Sequence, residues 1–199
     1  VKSILPVLMK GNSIIIESTC PIGTTNKVKN IILKHTKLNE NDFNLAYCPE
    51  RVLPGNIMKE LIKNDRVVGG HNDKSKEEVI KFYKTFCEGN ISSTTSETAE
   101  MVKLTENSFR DINIAFANEL SILSDHINID VNELIDLANF HPRVNILKPG
   151  CGVGGHCIAV DPWFIAAEIP SKSPLIQTAR QVNDYKSQWV VEKIAAKAL

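Results

Sequence analysis

The 199-residue sequence has no long apolar run, no excess of charge of either sign and no CxxC pair. No stretch approaches the ~18 consecutive apolar residues of a membrane-spanning helix. The opening Val1-Lys2-Ser3-Ile4-Leu5-Pro6 lacks the charged and apolar regions of a signal peptide, so no membrane partner is expected and the cytoplasm is the default location. Lys plus Arg and Asp plus Glu both number 23, without a basic block, which removes nucleic acid as an expected partner. The five cysteines (Cys20, Cys48, Cys87, Cys151, Cys157) are odd in number and widely spaced, which argues against a disulfide framework and against a structural metal site. They read as free thiols in a reducing compartment. Internal repeats and low-complexity tracts are also missing. The sequence has no initiator Met and stops at Ala195-Ala196-Lys197-Ala198-Leu199, which reads as a piece of a longer polypeptide.

What is present, 43% hydrophobic and 23% charged, suits one sizeable core or two small domains. The first half alternates strand and helix patterns, the arrangement that builds a parallel sheet with helices on its faces. The pattern predicts a buried strand over 13–18, a helix from Thr24 to about Lys34 and a second strand over 44–48, ending at Pro49. A third strand over 66–70, a helix from Ser75 to about Cys87 with Val79, Phe82, Tyr83 and Phe86 facing the core, and a short strand over 91–94 follow. From Ser96 the period becomes 3.6 for about thirty residues through Met101, Leu104, Phe109, Ile112, Phe116, Leu120 and Leu123, giving one long helix whose first turn carries Glu97 and Glu100 at its positive end. Val131 to Ala138 is a shorter helix capped by Asp130, Asp161-Pro162 reads as the N-cap and first residue of another through Ala167, and a last helix runs from about Ser173 on Leu175, Ile176, Ala179, Val182, Trp189 and Val190. The fold class is thus α/β followed by all-α, with domains over 1–95 and 96–199.

The densest site-like segment is Pro149-Gly150-Cys151-Gly152-Val153-Gly154-Gly155-His156-Cys157-Ile158-Ala159-Val160-Asp161-Pro162. Gly150, Gly152 and Gly155 spell GxGxxG, but no buried strand precedes them and no helix opens on the last glycine, so a dinucleotide loop is rejected. The glycines instead let backbone approach a ligand and leave Cys157 beside a helix start, a place for a nucleophilic thiolate; the alternative is an ordinary buried cysteine in a tight loop. Lys103, Asn107 and Arg110 share a helix face and could carry a proton, hold an oxyanion and grip a carboxylate or phosphate; alternatively they form a solvated face. Cys48-Pro49-Glu50-Arg51-Val52-Leu53-Pro54-Gly55 follows a strand end, where α/β sheets place ligands, and presents Glu50 and Arg51, unless these only pair at the surface. Thr19 with Pro21-Ile22-Gly23-Thr24-Thr25 joins a strand end to a helix start, where hydroxyls and N–H groups meet phosphate or ribose. His141-Pro142-Arg143 offers two further side chains in a loop.

Glu17-Ser18-Thr19-Cys20-Pro21-Ile22-Gly23-Thr24-Thr25, the Glu50 loop, Thr98-Ala99-Glu100-Met101-Val102-Lys103-Leu104 through Asn118-Glu119-Leu120, and Gly152 to Phe164 resemble the UDP-glucose/GDP-mannose dehydrogenase family, in the family's order and over most of the chain. The resemblance implies the C-terminal part of a Rossmann-like NAD domain followed by the helical central domain through which members dimerise. It also implies NAD-dependent oxidation of a sugar C6 alcohol, through an aldehyde, to the uronic acid. PERVLPG and GGHC, in place of PEFLREG and GGSC, point to the UDP-N-acetylhexosamine branch and to UDP-N-acetylmannosamine as substrate, with UDP-N-acetylglucosamine or UDP-glucose as alternatives. By the same resemblance Cys157 is the nucleophile, passing through a thiohemiacetal and a thioester, and Lys103 is the acid/base. Asn107 holds the oxyanion and water, Asp161 assists hydrolysis and Glu50 orders water or the C6 hydroxyl. Arg51, Val52, Arg110, His141, Arg143 and Gly154 contact substrate, and Thr19 contacts the cofactor. Cys151 departs from the proline expected in this branch. The family's first strand with its true GxGxxG loop, and its final nucleotide-gripping domain, find no counterpart in these residues, so the chain alone is expected to be inactive. A non-catalytic dimerisation or binding module, a cysteine hydrolase using His156, and a hydroxyacid dehydrogenase of the 6-phosphogluconate type are the competing readings.

Overall fold

The computed structural model describes residues 1–53 and 55–198; Pro54, in the expected Glu50 loop, lies outside them. A 3-10 turn at Leu5–Val7 leads into β1 (Ser13–Ile16), α1 (Thr24–His35), β2 (Asn44–Tyr47), α2 (Ile57–Lys63), β3 (Arg66–Gly70), α3 (Asp73–Tyr83) and β4 (Ile91–Thr95). There follow α4 (Ser96–His126), α5 (Val131–Ala138), α6 (Asp161–Glu168), a second 3-10 turn at Pro170–Lys172 and α7 (Pro174–Ala198). Two compact units result, Val1–Lys103 and Leu104–Leu199.

The sheet order is β1-β2-β3-β4. β1 pairs with β2 and β3 with β4 in parallel, but β2 and β3 run antiparallel, joined through Ala46↔Gly70 and Tyr47↔Gly69. The all-parallel expectation is therefore corrected at this seam. A parallel crossover needs a helix packed on the sheet, and α2, seven residues with none buried, does not provide one. The chain returns at the same end of the sheet instead. Because each parallel pair contributes its last residues to the seam, the carboxyl ends of all four strands converge there. β1 is half-buried, not the buried strand expected, because it lies at an edge of the described sheet.

α3 packs against all four strands, and its Val79 and Tyr83 join Ala46, Cys48 and Val68 in one apolar cluster. Phe82 and Phe86, expected in the core, are 53% and 39% exposed: α3 turns Val79 and Tyr83 inward and Phe82 outward, and it ends at Tyr83, short of the expected Cys87, so Phe86 lies in the turn beyond it. On the other face of the sheet, Val28 and Ile32 of α1 pack with Phe43 and Leu45.

In the second unit the expected core face is kept only in part: Leu104 of α4 is fully buried, and Ile112 and Leu120 are half-buried. Phe109, Phe116 and Leu123 of α4 are exposed, while Ser108, Asp111, Ala115, Asn118, Ser121 and Ser124 are buried. On α7, Ala179 is buried as expected, but Leu175 is exposed and Arg180, Asn183 and Lys186 are buried. Polar partners account for the buried polar residues: Arg180 pairs with Asp111, the Asn183 amide donates to Asp111, the Asn118 amide donates to Asn183, and Lys186 donates to the Ser121 hydroxyl. A buried polar stripe is tolerated where donors meet acceptors and charges meet opposite charges; the Ser108 hydroxyl stays buried without a hydrogen-bond partner.

Candidate active site

The five thiols separate by environment. Cys20 and Cys48 are buried, and burial pushes both thiols above their ordinary value, which makes them poor nucleophiles. Cys151 and Cys157 are exposed. Cys157 ends an irregular segment, with Gly152 and Gly155 at φ +128° and +92°, conformations that favour glycine. Its carbonyl accepts from the amides of Val160 (3.0 Å) and Asp161 (2.8 Å), so backbone ties it to the start of α6.

Asp161 is not the N-cap of that helix. Val160 takes that place, and Asp161 is the first helical residue. Its buried carboxylate accepts instead from the side-chain amide of Asn107 on α4, at 2.5 Å. Proline at the second helical position fixes the turn, and the carboxylate gains more from an amide donor in a buried setting than from an exposed cap. The structure thus brings Asn107 and Asp161 together four residues beyond Cys157. Lys103 lies half-buried one turn before Asn107 on the same helix.

Arg110 and Arg143 line one groove of about 520 Å³ with Phe109, Asn113, Asn145 and Leu147. Arg110 and Leu147 also line a second groove of about 450 Å³ that reaches Gly150, Gly152 and Gly154. Three of the anticipated residues, Arg110, Arg143 and Gly154, therefore border adjoining grooves whose two guanidinium groups suit an anionic ligand. His141 lines neither groove among the described residues; its Nδ1 accepts from the Arg143 amide and shapes the local turn.

In the first unit, Glu50 folds back on its own loop. One carboxylate oxygen accepts from the amides of Arg51 (2.6 Å) and Val52 (3.0 Å), and the other lies 4.0 Å from the Arg66 guanidinium. Continuing the β2–β3 register places Glu50 across from Arg66. Arg66, which the strand pattern alone does not mark as part of a site, is buried against the Tyr83 ring and also donates to the Leu61 carbonyl. Arg51 reaches the Asp65 carbonyl at 3.4 Å. Thr19 sits half-buried after β1.

The α1 N-terminus, anticipated as a phosphate or ribose site, is closed by the protein itself. Glu100 of α4, fully buried, accepts from the amides of Gly23 (2.5 Å) and Thr25 (2.7 Å) and from the Thr25 hydroxyl (2.7 Å). The sequence placed Glu100 at the positive end of its own helix; it serves that of α1. Its Gly23 N-cap residue lies at φ +81°. Glu97 accepts from Asn26 of the same helix at 2.5 Å. The Glu100 carboxylate thus occupies the amides of Gly23 and Thr25, which are not open to a phosphate.

Comparison with known proteins defines the class. The NAD-binding domain of the UDP-glucose/GDP-mannose dehydrogenase family matches residues 1–87, and its central domain matches residues 97–185. The chain belongs to this family. Among curated relatives it is 55% identical to the UDP-N-acetyl-D-mannosamine dehydrogenase of Campylobacter jejuni over 98% of this chain and 50% of that protein. Among solved structures it resembles a UDP-D-ManNAc dehydrogenase from Pyrococcus horikoshii, with a TM-score of 0.92 and 44% identity over 96% of this chain and 46% of that one. The UDP-N-acetyl-mannosamine dehydrogenase of Staphylococcus aureus gives a TM-score of 0.87 and 47% identity over 100% of this chain and 47% of that one. The chain spans about half the length of the relatives it matches.

Proposed function

We propose that the polypeptide carrying this chain is an NAD-dependent UDP-sugar 6-dehydrogenase acting on UDP-N-acetyl-D-mannosamine, with residues 1–95 contributing to its NAD domain and 96–199 forming its central domain. The observation that carries the reading is the exposed Cys157 in a glycine-rich loop, followed by a buried Asp161 already hydrogen-bonded to Asn107, in a member of this family.

NAD, when bound, would supply the hydride acceptor for both oxidations at C6. Lys103 accepts the C6 hydroxyl proton in the first, which yields an aldehyde. The Cys157 sulfur then adds to that carbonyl carbon and the thiol proton passes to the oxygen, forming a thiohemiacetal. Lys103, having released its first proton to solvent, takes the hydroxyl proton as the second hydride leaves, and a thioester remains. Asn107 supports the developing oxyanion. Asp161, held by the Asn107 amide, receives a proton from the attacking water, and hydrolysis releases the acid and restores the thiol. Glu50 orders water or the C6 hydroxyl; Arg51, Val52, Arg110, His141, Arg143 and Gly154 serve the substrate and Thr19 the cofactor. A homodimer through the central domain is supported by Phe109, Phe116, Leu123 and Ile127, which form an exposed apolar stripe along α4 and beyond its end. No described helix is long and apolar enough to cross a membrane, and we place the enzyme in the cytoplasm.

The test is the NADH formed per UDP-N-acetylmannosamine consumed by the complete natural polypeptide and its Cys157→Ser variant. Two NADH from the former and no acid from the latter are expected. Full acid formation by the variant would sink the mechanism, and no NADH from the natural protein would sink the substrate assignment.

A further inference from the structure

Between α5 and α6 the residues 145–160 contain no helix or strand, so the loop that bears Cys157 takes its shape from whatever holds its ends. Its far end is tied to α6 by the Cys157 carbonyl. Its near end is held by side chains of two helices. The Gly150 amide donates to Asn118 Oδ1 of α4 at 2.9 Å, and Ser187 Oγ of α7 donates to the Cys151 carbonyl at 3.0 Å. Gly152, at φ +128°, lies so close to α7 that a Cβ there would come within 2.1 Å of Ser187 Oγ and 3.3 Å of the Asn183 carbonyl.

Asn118 is itself held. Its amide nitrogen donates to Asn183 Oδ1 at 2.9 Å, and the Asn183 amide donates to Asp111 Oδ1 at 2.8 Å, where Arg180 also donates at 2.7 Å. Asn118 and Asn183 are fully buried. Each amide in this relay has one orientation that satisfies its neighbours, because the Asp111 carboxylate can only accept. The relay therefore presents an oxygen, not an NH2 group, to Gly150.

We infer that Asn118 and Ser187 are positioning residues that set the height of the Cys157 loop for attack on the C6 aldehyde. The inference rests on the proposed dehydrogenase reading. Releasing the near end frees the glycine-rich span that leads to Cys157, and displacement of a nucleophile by about 1 Å costs on the order of a hundredfold in rate. Only the second oxidation uses Cys157. Loss of either anchor should therefore slow aldehyde oxidation while leaving alcohol oxidation in place.

The experiment compares Asn118→Ala and Ser187→Ala with the natural protein, in the complete polypeptide, following NADH per UDP-sugar, the aldehyde captured by hydroxylamine, kcat and KM, with thermal unfolding alongside. Ser187 is exposed, so its variant keeps the question open to test even where Asn118→Ala does not fold. The expected result is NADH falling from two towards one per sugar, trapped aldehyde, and overall kcat for acid reduced about tenfold or more with KM within about twofold. Both half-reactions falling in parallel, or neither changing in Ser187→Ala, overturns the inference and leaves the function standing. No NADH from the natural protein overturns the function and the inference with it.

Discussion

Glu100 stands three residues before Lys103 on α4, yet its carboxylate faces a different helix and gathers two amides and a hydroxyl at the start of α1. Glu100→Ala leaves these donors buried without an acceptor, and at about 1–3 kcal/mol for each unsatisfied group a loss of roughly 3 kcal/mol or more is expected in urea unfolding of the protein. Lys186 gives the opposite case. Its ammonium is buried beside Ser121 and over the Trp189 ring, with Cys151 and Asp125 as the nearby groups that favour its charge, and burial holds its value below the ordinary 10.5. Between that lowered value and 10.5 the unfolded chain holds a proton that the folded chain has released, so stability rises with pH across this window. Lys186→Met should flatten that rise when unfolding is followed against pH. Neither residue announced itself in the sequence. Glu100 was read as serving its own helix, and the role of Lys186 depends on an α4 serine 65 positions away. Cys157 and Glu50 were legible because glycines and prolines around them mark a loop whatever packs against it.

At the level of elements, existence and order were readable while faces were not. β3 and α5 begin and end where the pattern puts them, and Asp130 caps α5 through the Asn132 and Glu133 amides. α2 was missed because Ile57–Lys63 buries nothing and so lacks the one-sided pattern that marks a packed helix. α4 carries a regular apolar period, yet only Leu104 of it is fully buried, while Phe109, Phe116 and Leu123 are exposed. Hydrophobic periodicity locates a helix but does not say which surface is internal when a polar stripe is matched by partners on another helix. The energetics should follow that matching. Arg180 is buried with Asp111, whereas its other partner, Asp184, is 60% exposed along its side chain. Arg180→Leu, which strands the Asp111 carboxylate, is expected to cost about 3–5 kcal/mol, and Asp184→Ala no more than about 1 kcal/mol, both measured by denaturant unfolding.

Across the whole molecule, the two compact units follow different rules of assembly: apolar clusters on the two faces of a sheet in Val1–Lys103, and a partnered polar network between helices in Leu104–Leu199. The anticipated site residues are distributed over both. Thr19, Glu50, Arg51, Val52 and Lys103 belong to the first unit; Asn107, Arg110, His141, Arg143, Gly154, Cys157 and Asp161 belong to the second. Motifs reveal such residues one segment at a time. The reversal between β2 and β3 could not be anticipated in the same way, since strand direction depends on where a connecting segment finds something to pack on. That reversal also governs how the sheet comes apart. Two pairs of residues join β2 to β3, and α3 lies across the join. In amide hydrogen exchange β1–β2 and β3–β4 should open together while α3 stays docked, and Val79→Ala, which loosens α3, should let them exchange as two separately protected ribbons. The sheet is cooperative by virtue of a helix clamped over its seam, and its weakest line runs where its strand ends meet.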